Sequence, residues 1–307
     1  MTIESPEIKT VAIIGLGLLG GSVGLAIKER AGTIVTTGYD RDAEVRDRAT
    51  ERGLVGTVCE TAAQAVDGAD LVILCVPVGA MEAAAGELAP QLKPGAIISD
   101  VGSSKESVAQ ALARALPGHT IIPAHPVAGT EQSGPEAGFA SLFVNRWCIL
   151  TPPEGVEKEA VKALSDFWAS LGARVEIMDA SHHDLVLAVT SHIPHLIAYT
   201  IVGTASDLEE VTRSEVIKYS AGGFRDFTRI AASDPVMWRD VFLNNKGAVL
   251  EVLGRFTEDL TALQRAIRSG DGDTLHDLFT RTRAIRREVI DQGQDDERPD
   301  FGRKDHS

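Results

Sequence analysis

From residue 10 onward the chain alternates short, nearly continuous apolar runs with longer stretches in which apolar residues recur every third or fourth position. The runs are TVAIIG (10–15), TIVTTGY (33–39), DLVILCV (70–76), GAIISDV (95–101), HTIIPA (119–124), NRWCILT (145–151) and ARVEIMD (173–179). They are rich in β-branched residues and do not alternate with polar ones, the pattern of strands buried on both faces in a parallel sheet. Residues 18–29, 78–88, 105–115 and 156–171 carry the i, i+3, i+4 spacing of amphipathic helices. Together they predict an α/β fold with a doubly wound parallel sheet covered by helices.

After Asp179 the strand signal stops, and the remainder reads as helices broken by Gly, Asp-Pro and Ser-Gly. This predicts a sheet domain over 1–179 and an all-α domain over 180–291, with a polar, disordered tail over 292–307. The first of these helices, 182–202, is apolar around most of its circumference, so neighbours should bury it, including a second copy of the chain. A homodimer through the helical domain is the expectation. Pro194 lies inside that helix, where its missing N–H predicts a kink and leaves the Thr190 carbonyl without its usual partner.

Composition fits this picture: 307 residues, 44% hydrophobic and 24% charged, suffice for two ordinary domains. A net charge of −14 argues against a nucleic-acid binder, which needs clustered cations to neutralise phosphates. Cys59, Cys75 and Cys148 are scattered without a CxxC pair, as buried thiols of a reducing compartment would be. The N-terminal MTIESPEIKT lacks the basic and apolar regions of a signal peptide, and the longest strongly apolar run, Leu71–Val78, covers only eight residues. The expected location is the cytoplasm, with no membrane span.

The first run leads into Gly15-Leu16-Gly17-Leu18-Leu19-Gly20, which in turn opens a helix. In this strand–turn–helix context the GxGxxG spacing predicts a dinucleotide site of the Rossmann type. Gly15 would allow the tight turn, Gly17 the approach of a pyrophosphate, and Gly20 close helix–strand packing. Asp40 ends the second run, where a carboxylate accepts from ribose hydroxyls and repels a 2′-phosphate, so NAD is expected, with NADP as the alternative. Arg41 beside it either caps the adenine end or is a solvated surface charge. Val76 and Pro77, ending the 70–76 run, belong to the same predicted site.

Two polar clusters, 100–105 (DVGSSK) and 125–134 (HPVAGTEQSG), follow strands, and ligands of parallel α/β sheets sit outside the strands' carboxyl ends. These segments, with 191–195 (SHIPH) and 222–240 (GGFRDFTRIAASDPVMWRD), resemble the prephenate and arogenate dehydrogenase family over residues 10–290. The resemblance implies oxidation and decarboxylation of a cyclohexadiene that bears a C4 hydroxyl and a C1 carboxylate. It makes His125 the base that takes the hydroxyl proton and Ser103 a hydrogen-bonding partner of the same hydroxyl. Arg229 is then the clamp for the ring carboxylate, a task suited to a bidentate guanidinium. His195 and Arg225 would contact the substrate side chain, with Thr130 and Glu131 forming a wall of the pocket; some family members carry lysine at the position of Arg225.

Other readings of the same residues remain. The SSKE spacing also lets Ser103 cap a helix, Arg229 can pair with Asp226 or Asp234, and Trp238 and Phe242 fit a core. His192 and His195 have no acidic or cysteine partners beside them in sequence, so no metal is expected. The ACT domain and chorismate mutase bundle that some family members append are not visible, so feedback control through an added domain is not expected. A second reading of the architecture is a β-hydroxyacid dehydrogenase or imine reductase, which would not depend on His125.

Overall fold

The structure, a computed structural model, describes residues 7–130, 132–207 and 222–289. Six parallel strands form the main sheet: β1 (Thr10–Ile14), β2 (Val35–Tyr39), β3 (Thr57–Val58), β4 (Leu71–Leu74), β5 (Ile97–Asp100) and β6 (Thr120–Ile121). Their order is β3-β2-β1-β4-β5-β6, so the strand order reverses between β1 and β4. That reversal opens a crevice at the carboxyl edge, where connections leave to opposite faces. Register lines up Tyr39, Ile14, Leu74 and Asp100 across this edge, so the segments that follow them emerge side by side.

Both faces of the sheet are buried, as its unbroken apolar runs require. Val11 and Ile13 of β1 pack into one cluster with Leu71, Ile73 and Trp168, whereas Ala12 and Ile14 pack into another with Val72, Leu74 and Ile98. The covering helices are α1 (Leu18–Arg30), α2 (Ala43–Arg52), α3 (Ala62–Val66), α4 (Met81–Leu88), α5 (Glu106–Ala115) and α6 (Lys158–Ser170). Of these, α2 and α3 escape the hydrophobic pattern. Only Ala49 of α2 is buried, and α3 is a five-residue helix held by a Thr61–Gln64 capping box.

The single parallel sheet expected from the sequence needs correction. The 119–124 run breaks at Pro123: β6 ends at Ile121, and β7 (Ala124–Pro126) joins a separate sheet with β8 (Trp147–Leu150) and β9 (Arg174–Ile177). In this second sheet β7 runs antiparallel to β8, and β8 parallel to β9. Apolar runs report burial, not partner or direction.

Past β9, α7 (Ala180–Leu187) and α8 (Ile193–Asp207) are joined by a π-helical turn over Ala188–His192. The Ile193 N–H donates to Ala188, five residues back, so the disruption near Pro194 takes the form of a π-turn. Taken as one, the Ala180–Asp207 helix reaches a mean hydropathy of 1.6 over 18 residues, long and apolar enough to span a membrane on length and composition. Counting uninterrupted apolar runs overlooks this. Within it, His183, Asp184 and His192 are buried and hydrogen-bonded to other parts of the fold, while Leu185, Val189, Ile201 and Val202 are exposed.

Further on lie α9 (Gly222–Thr228), a 3₁₀ turn at Arg229–Ala232, α10 (Pro235–Asn244), α11 (Lys246–Ser269) and α12 (Gly272–Val289). Asp234 caps α10 at the Met237 N–H, with Pro235 in its first turn. The chain divides into two compact units, one ending at Leu250 and the other beginning at Glu251. Helices α7 to α10 thus share a unit with both sheets, and α10 packs on the 78–80 turn that follows β4. In the second unit Asp271 caps α12 through the Thr274 N–H and hydroxyl.

Candidate active site

The glycine turn sits at the carboxyl end of β1, beside the β1–β4 crevice. Gly15 has φ +100°, and a Cβ there would meet the Cys75 carbonyl oxygen at 2.4 Å. Gly20 is bound by packing: its Cβ would lie 1.9 Å from the Gly15 oxygen. Beside Gly17 there is open space, which leaves its backbone approachable. Leu18 and Leu19 open α1, and Val76 and Pro77 continue from β4 next to Gly15.

Asp40 closes this cradle. One carboxylate oxygen accepts the Leu16 N–H at 2.9 Å and the other the Asp42 N–H at 3.0 Å. Each oxygen keeps a lone pair for a diol, and the carboxylate is locked to the turn itself. Arg41 is exposed, whereas Arg46 donates to the Asp40 carbonyl at 2.8 Å and lies over the Tyr39 ring. Sequence reading passed over Arg46 because it sits inside a polar helix.

The second polar cluster is built around a buried ion pair. Asp100 ends β5, and Lys105 folds back so that its Nζ donates both to Asp100 Oδ2 and, at 2.7 Å, to the Ala124 carbonyl. Asp100 also accepts the Gly102 N–H at 2.7 Å and the Ala124 N–H at 3.1 Å. Both side chains are fully enclosed, and burial raises the Asp100 pKa and lowers that of Lys105 against their mutual attraction. The loop bearing Ser103 is thereby clamped to the residue preceding His125.

His125 lies on β7 with only 7% of its surface exposed. Its Nδ1 is 2.8 Å from Nε2 of His183, and the rings meet edge to face. His183 Nδ1 is 2.8 Å from Asp184 Oδ1. Asp184 accepts the Lys105 N–H at 2.8 Å and the Glu106 N–H at 3.0 Å, and so caps α5 from α7. The cap expected from Ser103 is therefore not the one formed, and Ser103 is left half-buried in the loop. Burial foremost, then the charges of His183, Lys105 and His192, hold the His125 pKa well below 6.5. An imidazole so held is neutral at neutral pH and able to accept a proton.

His195 and Arg229 also come together. The His195 ring stacks on Trp238 with centroids 3.7 Å apart, and its Nδ1 meets the Ser191 carbonyl at 2.8 Å. Burial lowers the His195 pKa, the Ser191 carbonyl opposes this, and the nearby Arg229 charge adds to the lowering. Trp238 is buried as expected of a core residue, but it also supports His195. His192 Nδ1 is 3.1 Å from the Asn245 amide nitrogen, which also donates to the Asp184 carbonyl at 2.7 Å. Burial pushes the His192 pKa down to about 4, with Asp184 opposing.

The remaining candidates differ. Arg225 is exposed and 3.5 Å from its neighbour Asp226, an ion pair of the solvated kind. Thr130 is half-buried and accepts the Gln132 N–H at 3.1 Å, and Glu131 lies outside the described residues. Sequence reading missed His183, Asp184, Asn245 and the Asp100–Lys105 pair as working parts. The visible signal was the His182-His183-Asp184 run at the start of a helix that otherwise lacks charge.

Residues 23–177 match the family described as prephenate dehydrogenase, nucleotide-binding domain, and residues 179–281 match prephenate dehydrogenase, dimerization domain. The chain is 47% identical over 278 residues to a cyclohexadienyl dehydrogenase of Zymomonas mobilis, covering 91% of this chain and 95% of that protein. Its fold is similar to a crystal structure of prephenate dehydrogenase from A. aeolicus in complex with hydroxyphenyl propionate and NAD+. There the TM-score is 0.86 at 32% identity, covering 93% of this chain and 100% of that one. A Synechocystis arogenate dehydrogenase structure is similar at TM-score 0.77 and 26% identity, over 91% of this chain and 99% of that one. With both parts of the family matched in order along one chain, and a 47% identical relative covered almost end to end, the protein belongs to the prephenate dehydrogenase family of NAD(P)-dependent dehydrogenases.

Proposed function

We propose that the protein oxidises and decarboxylates prephenate to 4-hydroxyphenylpyruvate in tyrosine biosynthesis, with arogenate to tyrosine as a second activity. The observation that carries this reading is His125: an imidazole held neutral by burial and fixed by a buried hydrogen bond, on a strand tied through Ala124 to the Asp100–Lys105 pair that begins the Ser103 loop. Residues 1–179 serve the cofactor and 180–291 the substrate and dimer contact. A β-hydroxyacid dehydrogenase or imine reductase of similar architecture is not favoured, because the family matches run through both parts of the chain.

The cradle fits a dinucleotide: Gly15 and Gly17 leave backbone for a pyrophosphate, and Asp40 offers a carboxylate to ribose hydroxyls. Bound there, NAD supplies the acceptor for the hydride from C4. Asp40 disfavours a 2′-phosphate, and Arg46 is occupied with backbone carbonyls, so NAD is preferred over NADP. On the protein's side, His125 takes the C4 hydroxyl proton and Ser103 orients the same hydroxyl. The C1–carboxylate bond then breaks, its electron pair enters the ring, and CO2 leaves as the ring becomes aromatic. Arg229 is proposed to hold the ring carboxylate, His195 and Arg225 to contact the substrate side chain, and Thr130 and Glu131 to serve as a wall of the pocket.

Steady-state NADH or NADPH formation from prephenate and from arogenate tests the assignment; turnover of neither substrate would sink it. Arg229→Ala is expected to raise KM for prephenate about 10- to 100-fold with a smaller change in kcat, as loss of a charge-assisted hydrogen bond implies. An unchanged KM removes Arg229 from the pocket. The exposed Leu185, Val189, Ile201 and Val202 support a homodimer that covers them, and the cytoplasm is the proposed location. Sedimentation at micromolar concentration should then give twice the chain mass.

A further inference from the structure

We infer that His183 and Asp184 form a positioning relay that fixes the tautomer of His125, so that its Nε2 carries the lone pair that accepts the substrate proton. This rests on the proposed role of His125 and extends it to two residues that carry no recognisable motif.

The relay follows from counting donors and acceptors. Asp184 Oδ1 lies 2.8 Å from His183 Nδ1 and accepts the Lys105 N–H at the same distance, while Oδ2 accepts the Glu106 N–H. A carboxylate offers no proton, so His183 must carry its hydrogen on Nδ1. In neutral imidazole the other nitrogen is then an acceptor, and His183 Nε2 faces His125 Nδ1 at 2.8 Å. His125 must therefore donate from Nδ1, which leaves Nε2 unprotonated. Reversing either ring alone would place two protons or two lone pairs between the rings, and reversing both would set a lone pair of His183 against the Asp184 carboxylate, each costly between buried side chains.

Asp184 is well placed for this task. Its carboxylate caps α5, where the helix dipole favours negative charge, so one side chain links the base to the helix that follows the Ser103 loop. The Asn245 amide donates to the Asp184 carbonyl and fixes the backbone from a third direction. When His125 takes the substrate proton it becomes imidazolium, and the dipoles of His183 and Asp184 already point the right way to stabilise it.

Histidine ¹⁵N NMR of the whole enzyme, read without substrate, tests the relay directly. The expected spectrum has His125 protonated at Nδ1 and unprotonated at Nε2, and His183 in the same tautomer. The opposite tautomer of His125 overturns the proposal, whatever the activity. In kinetics, His183→Phe removes the acceptor and should lower kcat for prephenate about 10²- to 10⁴-fold, as misorienting a general base does elsewhere. KM and NAD affinity should be kept. His183→Gln returns an amide oxygen that can accept from His125 Nδ1, and should recover part of that loss. Equal kcat in His183→Phe and wild type, or no difference between Phe and Gln, counts against the relay. Absence of prephenate turnover in a wild type with the expected tautomer would refute the substrate reading and leave the relay standing.

Discussion

Replacing His125 with Asn is expected to lower kcat about 10²- to 10⁴-fold while leaving KM for prephenate and NAD affinity nearly unchanged. Asn keeps a polar side chain of similar reach but cannot accept and hold a proton. The pH profile adds a second readout. Because the His125 pKa is held well below 6.5, chiefly by burial, the base is already deprotonated at neutral pH. Wild-type kcat/KM should therefore stay flat as pH falls through 6.5 and decline only at lower pH, as the imidazole takes up a proton. That acid limb should vanish in His125→Asn. A variant within threefold of wild-type kcat would show that the proton goes elsewhere.

The largest expected loss of stability lies at Lys105. Lys105→Met leaves the fully buried Asp100 without its cation and removes the tie to the Ala124 carbonyl. Removing one partner of a buried pair costs about 3–5 kcal/mol, because the other is left uncompensated in a medium of low dielectric. Urea unfolding followed by circular dichroism should register that loss. Replacing both partners, Asp100→Leu with Lys105→Met, should recover part of it by removing the stranded charge. A single variant less than about 1 kcal/mol below wild type would mean that water or local rearrangement rescues Asp100.

The parts of this protein legible in the sequence were those decided by local physics. The strand–turn–helix spacing around Gly15, Gly17 and Gly20 reflects a close approach that admits no side chain at Gly20, and Asp40 follows from where β2 ends. Ser103 and His125 were visible because their loops carry recognisable motifs after strands. What could not be read depends on contacts distant in the chain. Asp184 caps a helix that begins nearly eighty residues earlier, and nothing in its neighbourhood announces that. Likewise β7 leaves the main sheet for β8 because Pro123 interrupts the run, while the apolar pattern on either side looks continuous. The capping signal at Ser103 had the right spacing, yet a carboxylate from another helix reached the same N–H groups.

The π-turn at Ala188–His192 has a consequence for the angular phase of the helix on either side of it. At 100° per residue, an uninterrupted α-helix would set His195 about 120° around the axis from His183. A π-turn absorbs one residue without advancing the spiral, and the difference contracts to about 20°. The relay histidine and the histidine stacked on Trp238 therefore share one side of a single long helix. The turn works as a phase shifter: deleting one residue from it would straighten the helix and keep His195 on the side that His183 presents to His125, whereas winding the same residues as regular α-helix would turn His195 about 100° away.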